Sequence, residues 1–180
     1  MCCQRCIEAV EAALTSLGLH IESVQLGVAV FYTPDNTFSE QVRQALSKKG
    51  FEIIVSEDDR LTEEIKIALI ELIHHSKNKE HTNKTLPEFL EKQTLKSFRL
   101  LNRVFLNHTN MTIQKYATLQ RIEKVKSLIE EEKSNFSEIA YAAGYKTPQH
   151  LSAQFKKIVG VSMLEYKMKN IKQRKPIDKI

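Results

Sequence analysis

The stretch Asn135-Phe-Ser-Glu-Ile-Ala-Tyr-Ala-Ala-Gly-Tyr-Lys-Thr-Pro-Gln-His-Leu-Ser-Ala-Gln-Phe-Lys-Lys157 decides the reading of this chain. Asn135 can cap a helix, and Glu138 stands three residues on, where a capping box needs its carboxylate. Ile139, Ala140 and Ala143 give that helix a small face suited to close packing. Gly144 supplies the left-handed residue that closes it. Thr147 then caps a second helix, and Pro148 takes its first position, where no amide hydrogen is required. Leu151, Phe155 and Ile158 follow at i, i+4 and i+7, which defines a buried face. Two helices joined by a short glycine-containing turn form a helix-turn-helix.

Working outward, a worn copy of the same pattern lies upstream. Leu86–Lys92 is expected to be its first helix and Ser97–Leu106 its second. Leu101 and Phe105 correspond to Leu151 and Phe155. The turn glycine is absent, with Leu95 in its place, and Asn110 replaces Gly160. A connecting helix is expected from about Thr112 to Glu131, with Ile113, Tyr116, Leu119, Ile122, Val125 and Ile129 facing inward. Its length, roughly 27 Å for a helix of about 18 residues, suits the separation of about 34 Å between successive major grooves once side offsets are added.

From Ile139-Ala140 through Gly144-Tyr145, Phe155-Lys156-Lys157 and Gly160 to Tyr166, the segment resembles the AraC family in register. The last helix opens as Ser162-x-x-Glu165. The resemblance implies a bacterial transcription regulator with a double helix-turn-helix spanning residues 86–180 and double-stranded DNA as partner. Exposed positions early on each second helix are then the base-reading candidates. In the downstream copy these are Gln149, His150 and Ala153, with Lys146 and Ser152 near phosphate; Thr147 and Lys156 complete the contact set. In the upstream copy they are Arg99, Asn102 and Arg103. Glutamine pairs with adenine, alanine can only touch a thymine methyl, and arginine favours guanine through a bidentate pair. Each position can equally be a solvated helix residue, because most protein–DNA contacts go to phosphate. The tail Lys167–Lys179 is basic and reads as a loose end.

Charge agrees with this division. Residues 1–60 hold 5 Lys/Arg and 9 Asp/Glu, whereas residues 61–180 hold 22 and 13. A basic excess confined to the C-terminal part suits a polyanion. No stretch approaches the roughly 18 apolar residues of a membrane span, and no signal-peptide order is visible, so the cytoplasm is the expected compartment.

Ahead of this module the order is α-β-β-α-β. Ile7, Val10, Leu14 and Leu17 share a helix face that Gly18 ends. Ile21–Gln25 and Val28–Tyr32 flank Leu26-Gly27 as a hairpin. Ser39–Lys49 reads as a second amphipathic helix, and Phe51–Val55 as a third strand. Asp58-Asp59 opens a helix from about Leu61 to His75, followed by a polar linker to Thr85. The apolar stripe of Leu61–Ile73 is too wide for a free surface helix, so a domain or a second copy of the chain, as a homodimer, is expected to cover it.

The three cysteines, Cys2, Cys3 and Cys6, all lie in the first six residues. That excludes a disulfide framework within the chain. Cys3 and Cys6 form Met-x-Cys-x-x-Cys at a helix start, where thiolates select Cu(I) or Zn(II). The apolar helix after Cys6, Gly18-Leu19, Val30–Pro34 and Gly50-Phe51 resemble a heavy-metal-associated domain. That resemblance implies an α+β chain whose residues 1–58 form a small, incomplete ferredoxin-like (β-α-β-β-α-β) domain, followed by a connecting helix and linker over 59–85. The first strand would precede Met1, so a translation start further upstream is expected. Three readings of the cysteines stand: a metal site, inert terminal thiols, or a redox switch. Zinc would need further ligands, and His20, His74, His75 and His81 show no ligand spacing.

No Ser/His/Asp set, metal-bound water site or phosphate loop marks an enzyme. DNA-repair alkyl acceptors that join a zinc-cysteine module to an AraC-type module need four cysteines, and this chain has three. The competing reading is a metal carrier or interaction protein that reuses both folds without a regulatory DNA site.

Overall fold

A computed structural model describes residues 4–33, 38–54, 56–75, 85–169, 174–175 and 177. The chain divides into two compact units, residues 1–67 and 68–180. The boundary between these units falls inside a helix.

The N-terminal unit runs α1 (Gln4–Ser16), β1 (His20–Gln25), β2 (Val28–Tyr32) and α2 (Phe38–Ser47). It ends in the first turns of α3 (Glu57–Ile70). Val10 and Leu14 of α1, Leu19 and Val42 of α2 form its core, lined by Ile21, Val24, Ala29 and Phe31 from the sheet. The two strands pair antiparallel, with a bulge between Ile21 and Ser23. Gly27 makes the hairpin turn at φ +79°, and a Cβ there would collide with the Ile67 side chain. Only glycine meets both the backbone angle and the close approach.

The expected third strand, Phe51–Val55, does not form over its described residues, 51–54. Phe51 donates its amide to the Leu46 carbonyl at 3.0 Å and so finishes α2. A strand needs a neighbour to pair with. The described sheet contains only β1 and β2.

The wide apolar stripe of α3 is buried within the single chain. Leu61, Ile65, Ala68, Leu69, Ile70 and Ile73 are all buried. The stripe thus gives no separate argument for a second copy. Its last residues form a π-helical turn, Glu71–His75. The polar stretch 76–84 lies outside the described residues.

The rest of the C-terminal unit is helical: α4 (Leu86–Thr94), α5 (Phe98–Thr109), α6 (Ile113–Glu130), α7 (Phe136–Ala142), α8 (Pro148–Val159) and α9 (Met163–Met168). These six helices are one motif used twice, with counterparts fifty positions apart. N-caps Thr85 and Asn135 both carry a capping box, to Glu88 and Glu138. Leu101 and Leu151, and Phe105 and Phe155, are completely buried. Asn110 and Gly160 both end their helices in the left-handed conformation. Thr112 and Ser162 cap the next helices. Phe105 meets Tyr116 edge-on at 5.3 Å, and Phe155 meets Tyr166 the same way at 5.6 Å.

The copies differ at the inner turn. α4 runs to Thr94, and Leu95 takes the left-handed position at φ 55°, as its place in the sequence suggested. In the second copy that position falls one residue earlier relative to the helix that follows, at Gly144, φ +77°. Leucine in this conformation is strained by its Cβ, and here its side chain is 90% exposed, so it gains little in return. Leu95→Gly should stabilise the C-terminal unit by roughly 1 kcal/mol, after allowing for the freedom glycine adds to the unfolded chain. Urea unfolding of the two chains measures this; an unchanged or lower midpoint would show that Leu95 is not strained.

Candidate nucleic-acid interface

In the second copy the sequence signals become geometry. The Asn135 carboxamide oxygen accepts hydrogen bonds from Ser137 N at 3.0 Å and Glu138 N at 2.9 Å, and Asn135 N donates to Glu138 Oε2 at 2.9 Å. Gly144 turns the chain, and Tyr145 N donates to Ala140 O at 2.9 Å. Thr147 Oγ1 accepts from His150 N at 3.2 Å, and Pro148 opens α8. The buried side of α8 is Leu151 and Phe155, packed in a core with Ile122, Val125, Ile139, Ala140 and Tyr166. The opposite side is exposed and carries Gln149, His150, Ser152, Ala153 and Lys156, with Lys146 just ahead of the helix. Here the predicted contact residues do share one surface. Thr147 is committed to its cap, and the His150 ring rests edge-on against Tyr145 at 5.5 Å.

Tyr145 itself is an imperfection in this core. Among the described residues its hydroxyl is buried with no hydrogen-bond partner, and burial pushes its pKa up. An unpaired buried hydroxyl has lost its water without compensation. Tyr145→Phe should therefore raise stability by about 1 kcal/mol. Calorimetry decides it, since a loss of stability would mean that the hydroxyl has a partner in solution.

The first copy is built differently at its α5 N-terminus. Ser97 is the N-cap but makes no side-chain cap bond. Instead the Glu91 carboxylate accepts from Phe98 N at 2.6 Å. A carboxylate at this end makes it less receptive to another anion than the Thr147 end of α8. Arg99 and Arg103 are exposed and, four residues apart, lie on one helix face. Asn102 is not part of that surface. It is half-buried, and its Oδ1 accepts from Ile113 N at 3.1 Å, which holds the start of α6. Two groups escaped the sequence reading. Lys96 is exposed and is the counterpart of Lys146 fifty positions back; that spacing was the available signal. Glu91 left no local sign, because its bond skips seven residues.

Both motifs hang on α6, whose 18 residues span roughly 27 Å. Its buried polar groups are satisfied. Gln120 donates to the Tyr116 hydroxyl and the Ile177 carbonyl, each at 2.9 Å, and bonds His74 Nε2 at 2.9 Å. Burial is the main reason the His74 pKa is lowered. Lys124 donates to the Ile73 carbonyl. Glu123 and Lys126, both buried, pair at 2.8 Å.

Of the N-terminal cysteines, Cys2 and Cys3 lie outside the described residues, and Cys6 is half-buried in the first turn of α1. Among the described residues, no three His, Cys, Asp or Glu side chains gather as a metal site. Among them, too, no helix is long and apolar enough to cross a membrane.

Two capped helix-turn-helix motifs, each presenting an exposed polar and basic second helix over a Leu/Phe core, define a DNA-binding domain. The family model of the helix-turn-helix domain matches residues 90–169, from the end of α4 through α9. The match supports an AraC-type DNA-binding domain over these residues, the kind found in transcription regulators. No curated protein and no solved structure matches the chain.

Proposed function

We propose that the protein is a sequence-specific transcription regulator that lays α8 and α5 in two successive major grooves on one face of DNA. The observation that carries this reading is the repeated motif. Each second helix is anchored by a fully buried Leu and Phe and turns its opposite face to solvent. In α8 that face presents Gln149, Ser152 and Ala153, and in α5 it presents Arg99 and Arg103. The α5 pair suits guanine and Gln149 suits adenine, so the site bound is asymmetric. Lys146, Lys96 and Lys156 lie where phosphates would pass.

Selection of bound sequences from a random DNA pool, at physiological salt, tests the reading. It predicts two enriched half-sites about ten base pairs apart. Gln149→Ala should then cost about 1–3 kcal/mol on the selected site and little on unrelated DNA. Equal losses on both would make Gln149 a backbone contact, and a pool without enrichment would favour the carrier reading. Running the selection with and without Cu(I) or Zn(II) tests the response to a thiophilic metal, which rests on Cys3 and Cys6; Cys3→Ser should abolish any difference.

A further inference from the structure

Among the cations of α6, Arg121 stands apart. Lys124 is bonded to the Ile73 carbonyl and Lys126 to Glu123. Arg121 is half-buried like Lys124, yet among the described residues its guanidinium meets no carboxylate or carbonyl at bonding distance. Burial lowers its pKa and the neighbouring Tyr145 phenol raises it, and an arginine remains charged at any ordinary pH. A cation drawn partly out of water without a counterion is costly unless something anionic completes it.

Its position indicates what that anion is. The Arg121 Nε lies 3.8 Å from the point where Gly144 would carry a Cβ, directly against the turn that leads into α8. The same turn bears the exposed Lys146 and the N-terminal end of α8, where the backbone amides and the helix dipole favour negative charge. The unpaired Tyr145 hydroxyl is buried in that turn. The Arg121 guanidinium, the Lys146 ammonium and the N-terminal end of α8 thus all border this turn. Their shared preference is for a phosphate, which a guanidinium grips with two parallel hydrogen bonds.

We propose that Arg121, although it belongs to the connecting helix and not to a reading helix, contacts a DNA backbone phosphate beside the second half-site and so sets the register of α8 in its groove. The proposal rests on the DNA-binding reading above. A phosphate contact positions without reading sequence, so its loss weakens all DNA alike.

The test is the salt dependence of binding, measured with the full chain. Arg121→Gln should weaken binding to selected and unrelated DNA by a similar factor, roughly tenfold. The slope of log K against log salt should become shallower by about one. A purely structural arginine, its stem packed and its head in water, would leave the slope unchanged, and that result overturns the proposal. Should Arg121→Gln fail to fold, Arg121→Lys is used with DNA in which single phosphates are neutralised as methylphosphonates. One position beside the second half-site should then cost the wild type several-fold more than the lysine variant; identical profiles overturn the proposal. Wild-type protein that shows no salt-dependent binding at all would instead defeat the DNA-binding reading itself.

Discussion

Replacing Glu123 by alanine should lower the stability of the C-terminal unit by about 3–5 kcal/mol, the cost of breaking a buried ion pair from one side. Glu123 Oε1 lies 2.8 Å from Lys126 Nζ, with the two side chains only 7% and 9% exposed. Glu123 Oε2 also accepts from the Lys175 amide at 3.0 Å. Alanine would remove the carboxylate that pairs with the buried Lys126 ammonium and accepts from the Lys175 amide. The pair as a whole need not be stabilising, because two charges were taken out of water to make it. Glu123→Leu combined with Lys126→Met should therefore recover most of the loss. Urea unfolding, followed by helical signal, measures both variants. A loss below about 1 kcal/mol for the single substitution would mean that water reaches the pair in solution.

This pair was not legible in the sequence, for a physical reason. Glu123 and Lys126 are three apart on a helix, a spacing that usually marks a solvated face. Their burial depends on what packs over α6, which no local pattern encodes. Asn102 escaped for the same reason: its bond to Ile113 joins two helices across a turn. Features set within a few residues were readable. The caps at Asn135, Thr147 and Ser162 and the hairpin at Leu26-Gly27 are local chemistry, and each appears where that chemistry puts it. Leu95 was identified as the stand-in for the turn glycine and does adopt the left-handed conformation. The segment Phe51–Val55 shows the converse. Its β-branched residues have strand preference, but preference alone cannot supply a partner, and residues 51–54 stay unpaired.

The reading surface inherits this dependence on packing, and Phe155 is where it can be tested most directly. Leu151 and Phe155 are the two fully buried side chains of α8, so they seat the helix. The Phe155 ring fills the core beneath it and meets the Tyr166 ring edge-on at 5.6 Å and 83°. Phe155→Ala should cost about 3–5 kcal/mol through lost burial and the cavity left behind. About 1 kcal/mol of that belongs to the aromatic pair, so Phe155→Leu should restore much of the stability but not all of it. The effect on DNA follows from the repeat. Phe105 and Tyr116 make the corresponding contact in the first copy and are untouched by the change. In footprints of Phe155→Ala, taken below its melting temperature, protection of the groove under α8 should fade first, while protection under α5 persists. Phe105→Ala should show the reverse order. Simultaneous loss of both half-sites in both variants would mean that the two motifs fold and bind as one body, with α6 transmitting each defect to the far reading helix.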